Sequence, residues 1–123
     1  MSEHAPAGPR PAHAWIREFP AAITVCDPDG IILEMNEASI RSNADDGGAA
    51  LIGTDVHGCH PEPALSKLTE FEARGAVNVY TIEKKGVKKL VYQTPWTENG
   101  RYAGYMEIVL EIPFDVPHFV REG

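Results

Sequence analysis

Apolar and polar positions alternate in short stretches along most of this chain, a pattern that is typical of β-strands rather than of long helices. The apolar runs Ile23-Thr24-Val25 and Ile31-Ile32-Leu33 are separated by the sequence Asp27-Pro28-Asp29-Gly30. Because proline fixes φ at the second position of a turn and glycine accepts a positive φ, this segment predicts a β-hairpin. Asn36 follows the second run and predicts the N-cap of a short helix that continues to about Ser42.

Two other segments have helical spacing. In residues 13–19, Trp15 and Ile16 are placed to put an apolar edge against a sheet. Residues 63–74 carry apolar side chains at near-helical intervals, Leu68 among them. We therefore expect one short helix before the hairpin and a longer one after it.

Three strands are predicted in the second half of the chain, over residues 76–83, 87–96 and 102–112, and Glu98-Asn99-Gly100 indicates a hairpin between the last two. Along the last strand, Met106 and Ile108 lie on one face, and Tyr105 and Val109 lie on the other. We expect the face of Met106 and Ile108 to point towards the helices and the opposite face to point towards solvent.

The order of two strands, several short helices and three strands predicts an α+β fold. With short connections, it suits a five-stranded antiparallel sheet whose helices pack on one face. The predicted organisation is a mobile lead-in over residues 1–17, one domain over 18–112 and a tail over 113–123.

The hairpin region resembles the opening of a PAS domain, a sensory module of bacterial signalling. The common pattern of that family is an apolar strand, D-x-x-G, a second apolar strand and N-x-A, and here Asp27, Gly30, Asn36 and Ala38 occupy those positions. The resemblance covers roughly residues 18–112. It implies a module that holds a ligand or a partner and is not an enzyme.

Composition and net charge argue against several classes of protein. The chain has 123 residues, which suits one domain with a modest core, and a net charge of −7, which opposes binding to nucleic acid. No apolar run approaches the roughly 20 residues that span a bilayer, and the N-terminus lacks the apolar core of a secretory signal. These features, with two cysteines expected to be free thiols, predict a cytoplasmic protein without membrane or nucleic-acid partners.

One segment contains several side chains that can bind a metal ion or react, since His57, Cys59 and His60 lie within four positions. Some PAS domains hold heme b through a histidine, so His57 or His60 is a candidate axial ligand, with Trp96 and Met106 as apolar neighbours. In those relatives the histidine lies within the long helix, whereas residues 65–73 contain none.

Three alternatives for this segment stay open. His57, Cys59 and His60 could bind zinc or another metal ion, although the adjacent Cys59 and His60 can hardly both reach one tetrahedral ion. Cys59 could be a redox thiol whose pKa is lowered by a neighbouring imidazole. The segment could also be structural, with Cys59 as a small buried side chain beside a loop.

Two functional hypotheses follow. The first is a sensor that binds a small hydrophobic ligand or cofactor, of unknown identity, in a cavity between sheet and helices. The residues predicted to line that cavity are Ile23, Leu68, Val91, Trp96, Met106 and Ile108. The second is an interaction module with a filled core, which forms a homodimer or binds an unknown signalling partner through the solvent-facing side of the sheet. The chain could be a complete protein or an excerpt of a longer one.

Overall fold

A computed structural model describes residues 13–56 and 75–123 of the chain. Its helices are α1 (Ala14–Arg17) and α2 (Glu37–Ser42), and two short 3-10 turns, Ala44–Asp46 and Gly48–Leu51, follow α2. Its strands are β1 (Ala22–Cys26), β2 (Ile32–Met35), β3 (Asn78–Lys84), β4 (Val87–Glu98) and β5 (Arg101–Ile112).

The five strands form one antiparallel sheet in the order β2-β1-β5-β4-β3. The predicted α+β architecture, with a five-stranded antiparallel sheet and a few short helices, is therefore confirmed. β1 lies between β2 and β5, so the two halves of the chain meet at the β1–β5 pairing.

The predicted turn between β1 and β2 is present and is closed by the Asp27 carboxylate. Asp27 Oδ1 accepts hydrogen bonds from the backbone N–H groups of Asp29 and Ile31, each at 2.9 Å. Gly30 has a φ of 85°, a conformation that favours glycine, and its N–H donates to the Asp27 carbonyl. Contacts within the turn thus favour this hairpin.

The predicted N-cap at Asn36 is also present. Its side-chain oxygen accepts a hydrogen bond from the Ser39 N–H at 3.1 Å, which satisfies one of the unpaired donors at the start of α2.

The helix before the sheet is shorter and more exposed than the sequence predicted. It spans Ala14–Arg17, and the Trp15 side chain is 69% exposed. Trp15 meets the edge of the Phe19 ring, with the ring centroids 6.2 Å apart. Because the helix has a single turn, Trp15 lies at the margin of the sheet.

The two faces of the sheet are distinguished by their relation to α2. A 2.6 Å contact between Thr24 Oγ1 and Ser39 Oγ shows that Thr24 points towards α2. Directly paired residues share a face, and Thr24 pairs with Glu107, Glu107 with Gln93, and Gln93 with Asn78. We call this side of the sheet the inner face and the other side the outer face.

The sequence assigned the faces of β5 in the wrong sense. Ile23 pairs with Ile108, and Val25 with Met106, so these residues lie on the outer face, away from α2. Tyr105, which was expected to face solvent, is only 4% exposed and lies on the inner face. The reason is that β5 carries apolar side chains on both faces, so alternation defines the two faces but not which of them meets the helix.

Candidate functional site

A row of polar side chains crosses the inner face of the sheet. Asn78 Nδ2 donates a hydrogen bond to Gln93 Oε1, and Gln93 Nε2 donates one to Glu107 Oε2, both at 2.8 Å. Gln93 is only 4% exposed. We call Asn78, Gln93 and Glu107 the polar row; its amide groups have defined orientations, because each is used as a donor.

Two tight turns and one register shift determine the alignment of the polar row. Lys85-Gly86 connects β3 to β4 and Asn99-Gly100 connects β4 to β5, and all four residues have φ between 53° and 79°. Two-residue loops with positive φ at both positions match the twist of the flanking strands and set their pairing. The β3–β4 turn places Asn78 opposite Gln93. A register shift between Trp96 and Thr97 of β4, which adds one residue on β5, then places Gln93 opposite Glu107.

A small cavity, the inner cavity, lies where the polar row meets α2. Its volume is about 80 Å³, and Glu107 and Thr24 form part of its wall. Asn43, directly after α2, donates a hydrogen bond from Nδ2 to the Ser39 carbonyl at 2.9 Å. The described residues that line the cavity are Thr24, Ile32, Met35, Asn43, Leu51, Val56 and Glu107.

Tyr80 of β3 lies on the inner face, and its pKa reflects the electrostatic environment there. Burial raises the pKa of the Tyr80 phenol, and the negative charge of Glu107 raises it further. Both causes disfavour the phenolate. The inner face therefore combines a partly desolvated surface with the charge of one carboxylate.

A larger groove, the outer groove, lies on the opposite side of the sheet beneath α1. Its volume is about 550 Å³, and Trp15, Ile16 and the outer-face residues of β1 and β5 form part of its lining. At its edge, Trp96 Nε1 donates a hydrogen bond to the Cys26 carbonyl at 2.9 Å.

The structure separates the residues that the sequence grouped into one cavity. Trp96, Met106, Ile108 and Ile23 line the outer groove, whereas Val91 is buried on the inner face. The expected single cavity was wrong in this respect. Whether Trp96, Met106 and Ile108 bind a cofactor stays a prediction.

The remaining predicted site residues, His57, Cys59, His60 and Leu68, lie outside the described residues. The heme, metal and thiol hypotheses for that segment therefore stay predictions. Within residues 13–56 and 75–123, no three His, Cys, Asp or Glu side chains are grouped closely enough to hold a metal ion. The other cysteine, Cys26, is buried on β1 as a thiol.

Sequence reasoning missed the polar row. The signal was present as two polar residues inside apolar strands, Gln93 in Val91-Tyr92-Gln93 and Glu107 between Met106 and Ile108. Buried polar side chains usually have hydrogen-bonding partners, so two such residues on neighbouring strands indicate a pair. Only the register of the hairpins, however, shows that they are directly opposite.

Comparison with known proteins connects this architecture to a fold. No protein-family model and no curated sequence matches the chain. Solved structures do, among them the C-terminal domain of a Streptococcus mutans protein, with 18% identity, a TM-score of 0.66 and coverage of 81% of each chain.

Other matching structures are PAS domains. The PAS domain of BvgS from Bordetella pertussis has 18% identity and a TM-score of 0.58, with coverage of 82% of this chain and 83% of that one. A receptor from Vibrio cholerae described as a dual PAS-heme oxygen sensor has 18% identity and a TM-score of 0.56, with coverage of 76% and 95%. This sheet and its helices define an α+β domain. The fold is that of a PAS domain.

Within the described part of the chain, no helix has the length and apolar character needed to cross a bilayer.

Proposed function

We propose that this chain is a PAS sensory module that binds a small molecule in the inner cavity. The observation that carries the proposal is the polar row, which ends at the inner cavity beside α2. Binding sites for small molecules combine apolar walls with a few placed polar groups, and this cavity has both. The module would act by binding rather than by catalysis.

Because of its position, a ligand bound in the cavity would affect the contact between α2 and β1. Thr24 on β1 and Ser39 on α2 are joined by a 2.6 Å contact at the cavity wall. A ligand that contacts this pair would change how α2 packs against the central strand. A conformational response requires such a difference in contacts between the bound and unbound states.

Filling the inner cavity tests the proposal. Leu51 lines the cavity, whereas its neighbour Ile52 is 44% exposed, so Leu51→Trp should abolish binding and Ile52→Trp should not. The readout is native mass spectrometry of the purified protein, followed by two-dimensional NMR against a set of small amines, alcohols, acids and aromatic compounds. A wild-type protein that retains no molecule and responds to none of these compounds would overturn the proposal.

A second candidate function is association of two copies through the outer face. The observation that favours it is the outer groove, whose Trp15 wall is 69% exposed. Contiguous exposed apolar surface of this kind often marks a protein interface. A homodimer or a signalling partner could cover it.

Sedimentation velocity over a range of concentrations tests the second candidate. We expect a dimer that is weakened by Trp15→Ala and unaffected by Ile52→Ala, which removes an exposed apolar side chain outside the groove. A monomer at millimolar concentration would exclude a homodimer and leave only a different partner.

A cytoplasmic location in a bacterial cell belongs to the same proposal. Its support is the buried Cys26 thiol, which a reducing compartment preserves.

A further inference from the structure

The polar atoms at the inner cavity are mainly hydrogen-bond acceptors. Gln93 donates to Glu107 Oε2, and within residues 13–56 and 75–123 no hydrogen bond uses Glu107 Oε1. The Asn43 amide nitrogen donates to the Ser39 carbonyl, and among the described residues no hydrogen bond uses Asn43 Oδ1, which is an acceptor. A hydroxyl oxygen of Thr24 adds a third acceptor.

The described residues that line the cavity include one acidic side chain and no basic one. Among the described residues that line it, Glu107 is the ionisable one, and no lysine, arginine or histidine accompanies it. Its hydrogen-bonding partner on the sheet is the neutral amide of Gln93. A partly buried carboxylate with a neutral partner is stabilised by a ligand that carries positive charge or strong N–H donors.

The size of the cavity restricts that ligand. Its volume of about 80 Å³ is well below the roughly 300–1,000 Å³ of common ligand sites, so it suits a molecule of only a few heavy atoms. The side chains of Ile32, Met35 and Leu51 give the rest of the wall an apolar surface. A short aliphatic chain with one charged end fits these dimensions and this chemistry.

From these three observations we propose that the inner cavity binds a small protonated primary amine. A primary ammonium group has three N–H donors, as in the lysine side chain, which match acceptors on Glu107, Asn43 and Thr24. The proposal rests on the proposed function and specifies the chemical class of its ligand. A divalent metal ion fits the site less well, because Ca²⁺ takes six to eight oxygen ligands and Glu107 is the one carboxylate here.

The probe that tests this proposal is n-propylammonium at neutral pH, with 1-propanol as its uncharged counterpart of similar size. Isothermal titration calorimetry and two-dimensional NMR of the full chain should show saturable binding of the amine, with shifts at Thr24, Asn43 and Glu107. The alcohol should bind at least roughly tenfold more weakly, because a hydrogen-bonded charge is lost.

Glu107→Gln removes the charge and keeps an oxygen that can accept from Gln93. This variant should weaken binding of n-propylammonium by roughly tenfold or more. Glu111→Gln is the matched control, since Glu111 lies on the same strand and face but is exposed and outside the cavity. Thr24→Val, which removes one acceptor, is a second variant should Glu107→Gln unfold, and it should weaken binding several-fold.

The outcomes of these experiments distinguish the amine proposal from the broader proposal of a small-molecule site. Equal binding of amine and alcohol, or equal binding by wild type and Glu107→Gln, would overturn the amine proposal while leaving a small-molecule site in place. Binding of potassium with the same shifts and affinity as the amine would also overturn it, in favour of an inorganic cation. No binding of the amine, with a different molecule retained in native mass spectrometry, would reject the amine class but not the sensory function.

Discussion

Asn36 joins three elements through one buried side chain that is 6% exposed. Besides capping α2, its Oδ1 accepts a hydrogen bond from the Ile23 N–H at 2.9 Å. Its Nδ2 donates to the carbonyls of Ala21 at 2.8 Å and Ile16 at 3.1 Å. The side chain therefore fixes α2 against both β1 and the segment that precedes the sheet.

Replacement of Asn36 by alanine should be strongly destabilising. It would remove the helix cap and leave the Ile23 N–H and the Ala21 carbonyl buried without this partner, for a loss of about 3 kcal/mol in the free energy of unfolding. Urea denaturation measures this loss. Asn43→Ala is the matched control, because Asn43 donates one side-chain bond in the described structure, and it should cost about 1 kcal/mol.

The Tyr80 side chain predicts how the stability of the fold depends on pH. Its pKa is raised above 10.0 by burial and by Glu107, so the folded state holds the phenolic proton more tightly than the unfolded chain does. Stability is therefore unaffected by this group below about pH 10 and falls as the pH rises through the folded pKa.

Glu107→Gln should lower the pKa of Tyr80 without returning it fully to 10.0, because burial is the larger cause and remains. Ultraviolet absorbance of tyrosinate follows the titration, and Tyr80→Phe identifies which transition belongs to this residue. An unchanged or higher pKa in Glu107→Gln would show that the carboxylate does not act on Tyr80.

At the scale of elements, β5 crosses unusually close to the end of β1. Gly104 has a φ of 144°, and a Cβ at this position would lie 2.0 Å from the Cys26 carbonyl oxygen and 2.9 Å from the Asp27 backbone. Trp96, paired with Gly104, donates its indole N–H to the same carbonyl at 2.9 Å. Because Gly104 has no side chain, β5 can lie close to the Cys26 carbonyl of β1, which also accepts the hydrogen bond from Trp96 of β4.

Gly104→Ala should destabilise the protein by at least about 3 kcal/mol, because backbone rather than a flexible side chain must move. Gly86→Ala separates this steric effect from the effect of a positive φ. Gly86 has a φ of 79° with open space around it, so its substitution should cost only about 1 kcal/mol. Similar losses for both variants in thermal unfolding would contradict the close approach.

The elements that the sequence predicted well are those whose signals are local. Asp27 and Gly30 specify their turn through contacts within four residues, and Asn36 caps a helix whose first N–H groups are its neighbours. The turns after β3 and β4 likewise have a local sequence signal, namely Lys85-Gly86 and Asn99-Gly100. Such features need no knowledge of the rest of the molecule.

The side of the sheet that meets α2 could not be predicted in the same way. Met106 and Ile108 are more apolar than Glu107, so hydrophobicity favoured them for the covered face. Glu107 nevertheless lies on the inner face, because Gln93 on the next strand supplies its hydrogen bond. Pairing between distant residues decided the outcome, and the candidate site was missed for the same reason.

For the whole molecule, the polar contacts form a nearly continuous band from the edge strand β3 to α2. The polar row connects β3, β4 and β5, and Thr24, opposite Glu107, continues the band to Ser39. Under the proposed function, a molecule in the inner cavity would lie beside Thr24 and Glu107 of this band.

The extent of the folded unit gives a prediction at this scale. The sequence placed residues 1–17 in a mobile lead-in, yet the Ile16 carbonyl accepts a hydrogen bond from the buried Asn36 amide, and Ile16 lines the outer groove. A chain that begins at residue 18 should therefore be less stable than one that begins at residue 13, by about 1 to 2 kcal/mol for the lost hydrogen bond and apolar contact. Urea denaturation of the two chains measures the difference, and Trp15→Ala in the longer chain is the control, because Trp15 is largely exposed and should change stability little. Equal stability of the two chains would place the start of the folded unit at residue 18 and would show that α1 only rests on the sheet.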